Sequence, residues 1–147
     1  MHVLVIHGPN LNLLGTREPA LYGTTTLAEV DAAVAGEAAG LGLTVETVQH
    51  NSEGAIIDAI HAARERVAAI VINPGAYSHY SYAIRDALAA AGLPAVEVHL
   101  TNVAAREPFR AHSVVAPACI GSVAGFGKIS YCLALRALAA AVERKPA

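Results

Sequence analysis

Residues 69–100 read AIVINPGAYSHYSYAIRDALAAAGLPAVEVHL, and this stretch decides the fold. Ala69 to Ile72 is an apolar, largely β-branched run without polar alternation, as a strand buried on both faces shows. Asn73-Pro74-Gly75 ends it, because Pro74 has no amide hydrogen to give a sheet. Ala83, Ile84, Ala87, Leu88 and Ala91 then recur at helical spacing, and Gly92 closes the helix. Ala95 to Leu100 is the next strand. Strand, helix and strand within about thirty residues make one βαβ unit, with parallel strands and a right-handed crossover.

The alternation continues in both directions. Val3 to Ile6 is a short apolar strand stopped by Gly8-Pro9. Leu27, Val30, Val34 and Leu41 follow at helical spacing, and Thr26 with Glu29 matches a capping box at that helix's start. Val45 to Val48 alternates with polar residues, as an edge strand does, and a helix carrying Ile56, Ile60, Ala63 and Val67 leads into residue 69. Beyond residue 100, Val114 to Ile120 is expected to hold a fifth strand. Tyr131, Leu135, Leu138 and Val142 mark one face of a last helix, and Glu143 to Ala147 reads as a frayed tail. Five strands alternating with helices predict an α/β, flavodoxin-like, doubly wound parallel sheet with helices on both faces. Such sheets bind ligands at the carboxyl ends of their strands.

The 147 residues suit a single domain, expected to span 1–147. With 54% hydrophobic and 15% charged residues, the chain is no disordered segment. A net charge of −2 and no basic block argue against nucleic acid or an anionic membrane as partner. No apolar run reaches the roughly 18 residues of a membrane span, and no signal peptide is visible at the N-terminus. Cys119 and Cys132 are too few for a disulfide framework and read as small buried hydrophobes, so a cytoplasmic location is expected.

Several chemistries are excluded by spacing. Gly121 to Ser130 (GSVAGFGKIS) has Ser122 where a phosphate loop needs glycine, and Ile129 where it needs Ser or Thr. It also lacks the third glycine of a dinucleotide fingerprint, so it reads as a strand-to-helix turn. The seven histidines show neither HxH nor HExxH, the cysteines no CxxC, and a metal is not expected. There is no Gly-x-Ser-x-Gly elbow. Of two lysines, Lys145 lies in the tail and Lys128 is a weak Schiff-base candidate.

From Gly8 to Thr25, about eighteen residues separate the first strand from its helix, a length rare in a compact domain unless the loop works. It reads as an active-site lid, with Gly15 and Gly23 as hinges. Polar residues cluster at the strand ends: Asn10, Arg17 and Tyr22 after the first, Asn73, His79, Arg85 and Asp86 after the third, and Glu97, His99 and Thr101 at the fourth. Arg106, Arg110 and His112 lie beyond. Glu97 and His99, two apart on a strand, face the same side, where a carboxylate orients an imidazole. Tyrosine works as a base only as its phenolate, and Arg17 in the same loop is placed to favour that form. His99 then serves as general acid for a leaving group. Asn73, His79, Asp86 and Arg110 supply hydrogen bonds and charge for a polyhydroxy acid.

The chain's motifs, in order, carry a resemblance. HGPNLNLLGTREPALYG (7–23), QHNSEG (49–54), INPGAYSHYSYAIRDAL (72–88), VEVHLTN (96–102), REPFRAHS (106–113) and GFGKISYCLAL (125–135) resemble the segments of type II 3-dehydroquinate dehydratases. The resemblance covers about residues 2 to 142. It implies anti elimination of water from 3-dehydroquinate through an enolate, giving 3-dehydroshikimate, in aromatic biosynthesis or quinate breakdown. It implies no cofactor and a homododecamer built from trimers.

Carried over by position, Tyr22 takes the C2 proton, Arg17 keeps Tyr22 ionised, and Asn10 helps hold a water that stabilises the enolate. His99, supported by Glu97, protonates the leaving hydroxyl. Asn73, His79, Arg110 and the Leu100-Thr101 backbone bind substrate, and Asp86 contributes from a neighbouring subunit. Thr101 stands where serine is common, and Ala111, Val114 to Ala116 and Lys128 to Ser130 also depart from the usual pattern.

Other readings accompany these. Arg85 and Arg106 read as structural or interface ion pairs, His2, His61 and His112 as structural, and Tyr77, Tyr80 and Tyr82 as packing or interface residues. A flavodoxin-like domain that binds a small anionic metabolite without turnover is the alternative from another class. An alanine-rich interaction subunit with no small-acid ligand is a third.

Overall fold

The computed structural model describes residues 1–144. The elements run β1 (His2–His7), α1 (Pro19–Tyr22), α2 (Leu27–Gly40), β2 (Thr44–Gln49), α3 (Glu53–Ala63), β3 (Ala69–Asn73), α4 (Tyr82–Ala91), β4 (Ala95–His99), β5 (Gly121–Ala124) and α5 (Ile129–Glu143). All strand pairs are parallel, in the order β2-β1-β3-β4-β5. This is the expected flavodoxin-like arrangement, with β2 at an edge. Glu143 still belongs to α5 and Arg144 caps it, and the last three residues of the expected tail, 145–147, lie outside the described residues.

Alternation along the central strands builds two cores. Val3, Val5, Val71, Val96 and Val98 point to one face, against Val30 and Val34 of α2 and Tyr131, Leu135 and Leu138 of α5. Leu4, Ile6, Ile70 and Ile72 point to the other, against Ile56 and Ile60 of α3 and Ile84 and Leu88 of α4. Fully burying each such aliphatic side chain is worth about 1.5–3 kcal/mol, so the two-faced sheet dominates stability. The same alternation fixes polar residues. His7 and Asn73 fall on the α2/α5 face, and Glu97 and His99 on the α3/α4 side.

The capping box is present: Thr26 Oγ1 accepts from the Glu29 amide at 3.2 Å, and the Glu29 carboxylate accepts from the Thr26 amide at 2.7 Å. Gly92 caps α4 in the left-handed conformation.

The fifth strand is not where the apolar run suggested. Val114 and Val115 are buried in the α3/α4 core, but Pro117 sits in a 3-10 turn, Ala116–Ala118. Ser113 Oγ accepts from the amides of Val115 and Ala116 and folds the segment back. The strand that pairs with β4 is the less apolar Gly121–Ala124, half exposed at the sheet edge. The fourth strand ends at His99, one residue earlier than expected.

His7 is 1% exposed, yet its Nε2 meets Asp31 Oδ1 of α2 at 2.7 Å and its Nδ1 meets the Tyr131 hydroxyl of α5 at 3.0 Å. Burial, only partly offset by Asp31, holds this imidazole below the ordinary 6.5. The folded chain therefore binds fewer protons here than the unfolded chain. That contribution to stability is complete above about pH 6.5 and is lost as pH falls toward the lower folded value. Urea denaturation from about pH 8 to 5 should show stability dropping below pH 6.5 more steeply in the native chain than in His7→Asn; parallel profiles would exclude His7 as the cause.

Candidate active site

Strand β1 ends where Gly8 replaces any side chain. A Cβ on Gly8 would lie 2.6 Å from the Asn73 carbonyl oxygen, while its amide donates to that oxygen at 2.7 Å. The ends of β1 and β3 therefore close together and leave a cleft at the carboxyl edge. The loop that follows is not structureless. It holds a 3-10 turn, Leu11–Leu13, and the short helix α1 begun by Pro19, with Leu11 and Leu14 buried in the core as anchors. Gly15 (φ 97°) and Gly23 (φ 72°), the expected hinges, both take the positive φ that glycine favours.

α1 ends on Tyr22 and turns it into the cleft. The Arg17 guanidinium stacks over its ring, 4.5 Å from the centroid. A different arginine reaches the hydroxyl: Arg106 Nη1 donates to the Tyr22 oxygen at 3.0 Å and to Thr101 Oγ1 at 3.2 Å. Arg106 Nε is buried without a hydrogen-bond partner, Glu107 Oε1 standing 3.9 Å away, and so is a donor available to an acceptor in the cleft.

His99 leaves β4 with its Nε2 donating to Glu97 Oε2 at 3.1 Å. Glu97 is 2% exposed, and its other oxygen accepts from Ser113 Oγ at 2.8 Å. A carboxylate only accepts, so Nε2 carries a proton and keeps it on Glu97, and Nδ1 is the nitrogen that faces a substrate and carries any proton passed to it. His79 Nδ1 donates to the His112 carbonyl at 2.9 Å, and its ring meets the face of Phe109 edge-on. Arg110 Nε donates to Glu107 at 2.9 Å.

One cleft thus gathers Arg17, Tyr22, Asn73, His79, His99, Leu100, Thr101 and Arg110 from four separate segments. Through Tyr22, Thr101 and Arg106 it joins a larger cavity of about 450 Å³, which Lys128 and the turn glycines Gly125 and Gly127 help line. Glu97 stands behind His99. Asn10 is exposed at the start of the loop, in the left-handed conformation, its amide donating to Asn51 Oδ1 at 3.0 Å; it does not line the cleft. Asp86 is exposed on α4, outside the cleft of its own chain.

Arg106, expected to be a structural or interface ion pair, lines the cleft and donates to Tyr22. Its only signal in the sequence is its place among the polar residues beyond the fourth strand. Two successive 3-10 turns, Val103–Ala105 and Pro108–Ala111, fold that segment over the site.

Burial pushes the Cys119 thiol up to about 12, so it offers no nucleophile at neutral pH. Among the described residues, no group of three His, Cys, Asp or Glu is placed to hold a metal ion.

A tyrosine under two guanidiniums and a carboxylate-bonded histidine thus share one cleft at the carboxyl edge of a flavodoxin-like sheet, a set of groups suited to acid–base chemistry. Residues 1–139 match the family model described as dehydroquinase class II. The 3-dehydroquinate dehydratase of Pelotomaculum thermopropionicum is 53% identical over 140 residues, covering 95% of this chain and 97% of that protein. Catabolic 3-dehydroquinase 1 of Aspergillus terreus is 56% identical over 137 residues, covering 93% and 90%. The crystal structure of a type II dehydroquinase from Butyrivibrio crossotus superposes with a TM-score of 0.91 at 46% identity, covering 94% and 97%. The chain belongs to the class II dehydroquinase family.

Replacing Arg106 should cost turnover more than stability. Arg106→Ala is expected to lower kcat about a hundredfold or more, with Arg106→Lys recovering part of it, while thermal melting moves little. A kcat near the native value for Arg106→Ala would show that its bond to Tyr22 is incidental.

Proposed function

We propose that the protein dehydrates 3-dehydroquinate to 3-dehydroshikimate, a reaction that serves aromatic biosynthesis or quinate breakdown. The observation that carries this reading is the meeting of Tyr22, Arg106 and Arg17 on one side of the cleft with His99 on the other. The Tyr22 phenolate takes the C2 proton beside the ketone. Arg106, bonded to that oxygen, and Arg17, over the ring, compensate its charge before the transfer. The electrons of the C–H bond move to the ketone oxygen and form an enolate. Asn10 helps hold a water at that oxygen, brought there by closure of the loop it begins.

The enolate then collapses. The C1–C2 double bond forms, the C1 hydroxyl leaves, and His99 gives it the proton that makes it water. Glu97 holds the ring in place throughout. Solvent takes the proton from Tyr22 and returns one to His99. Asn73, His79, Arg110 and the Leu100-Thr101 backbone hold the hydroxyls and carboxylate. No step draws on a cofactor.

We further infer one domain over 1–147, a cytoplasmic enzyme, and a homododecamer of four trimers. Support for assembly comes from α4, where Tyr82 is 62% exposed and Asp86 is exposed and does not line its own cleft, with Tyr80 60% exposed just before the helix. Asp86 reaches the cleft of a neighbouring subunit.

The direct test is ultraviolet absorbance of the purified protein mixed with 3-dehydroquinate, since the product's conjugated enone carboxylate absorbs and the substrate does not. Steady product formation is expected. Tyr22→Phe should reduce kcat by about two to four orders of magnitude and keep substrate binding. A flat trace from the native chain would instead favour a binding domain without turnover.

Asp86 is tested by mixing. Asp86→Ala and Tyr22→Phe, each inactive alone, should regain part of the activity when co-assembled, because hybrid sites contain both native residues. No recovery would mean that Asp86 acts within its own chain or not at all.

A further inference from the structure

Three buried polar groups take no part in the proton transfers described above, and they form one line. Asn73 Nδ2 donates to the Tyr131 hydroxyl at 3.0 Å, and Asn73 Oδ1 accepts from the Gly75 amide at 3.1 Å. The Tyr131 hydroxyl meets His7 Nδ1 at 3.0 Å, and His7 Nε2 meets Asp31 Oδ1 at 2.7 Å. Asn73 is 3% exposed, His7 1% and Tyr131 not at all, whereas the Asp31 side chain is about a third exposed. The line runs from the surface of α2, through the core, to the wall of the cleft.

We propose that Asp31, His7 and Tyr131 are positioning residues, a one-way hydrogen-bond relay that fixes which end of the Asn73 amide faces the substrate. The direction follows from donor counting. The Gly75 amide needs an acceptor, so the amide oxygen of Asn73 is committed to it and Nδ2 faces Tyr131. The Tyr131 oxygen accepts that bond, so its own hydrogen goes to His7 Nδ1. Nδ1 is therefore bare and the ring proton is on Nε2, donated to Asp31, which only accepts. The second Nδ2 hydrogen of Asn73 remains for the cleft that Asn73 lines.

Reversal of any link leaves a buried donor or acceptor without a partner, so a surface carboxylate selects the histidine tautomer and, through it, the orientation of Asn73. Phenylalanine at 131 would fill the same core volume with no polar atom to satisfy. A merely structural residue there had no need of the hydroxyl. This inference rests on Asn73 being a substrate contact, as proposed above.

Three variants and two readouts test it. Asp31→Ala, at a half-buried position on α2, removes the acceptor of His7 and no apolar core side chain. It should let the His7 proton move to Nδ1, read by nitrogen-15 NMR of the histidine rings, and raise KM about five- to tenfold while kcat changes less. Asp31→Asn, whose amide oxygen still accepts from Nε2, should keep the native tautomer and hold KM within about twofold of native. Tyr131→Phe should raise KM about tenfold. An Asp31→Ala enzyme with a changed tautomer and a native KM would overturn the relay. So would a KM increase that Asp31→Asn shares in full. A native chain that forms no 3-dehydroshikimate would overturn the functional reading, and the relay with it; failure of the relay alone shows only in the variants.

Discussion

The site depends on the pairing of the two central strands. His7 of β1 lies opposite Asn73 of β3, and one residue on, the Gly8 amide donates to the Asn73 carbonyl at 2.7 Å. No side chain fits at position 8, because its Cβ would meet that carbonyl at 2.6 Å. This close approach sets where β1 stops, where the Gly8–Thr25 loop begins and where Asn73 stands. It also places His7 and Asn73 on the same face, so that Tyr131 of α5 can bond both.

From that anchor, position along each strand decides role. Alternation sends Val71 and Asn73 to the α2/α5 side and Glu97 and His99 to the opposite side. The proposed proton acceptor and proton donor therefore arrive from different layers: Tyr22 on a loop leaving β1, His99 at the end of β4. Elimination with the proton and the hydroxyl on opposite faces of a ring requires such a separation. The loop carries Tyr22, and the sheet holds His99. Burial supports the division. Glu97, deep behind His99 and bonded to Ser113, has little freedom, whereas α1 carries Tyr22 on a segment bounded by two glycines at positive φ.

Much of this was legible in the sequence, for physical reasons. Apolar runs such as Ala69 to Ile72 can only be satisfied by helices on both faces, so the doubly wound sheet followed from periodicity. The Thr26–Glu29 capping box is local chemistry, readable from two residues. The fifth strand was not legible, because an edge strand needs little apolar character, and Val114-Val115 is apolar for a different reason: it plugs the α3/α4 core beside a proline turn. Arg106 was missed because 3-10 turns carry no periodicity that tells which arginine of a segment turns inward. Asp86 and Asn10 do not line the cleft of this chain, and the proposed roles of both call on features beyond one chain's pattern, a neighbouring subunit and the closure of a loop.

The central claim is that Tyr22 removes the C2 proton in a step separable from loss of the hydroxyl by way of His99. It is tested most directly by proton NMR of 3-dehydroquinate in deuterated water with the His99→Ala and Tyr22→Phe variants. His99→Ala, unable to complete elimination, should still exchange one C2 hydrogen for deuterium with a single stereochemistry, and Tyr22→Phe should exchange none above background. Exchange that persists in Tyr22→Phe at the His99→Ala rate would contradict the claim and move the base elsewhere in the cleft.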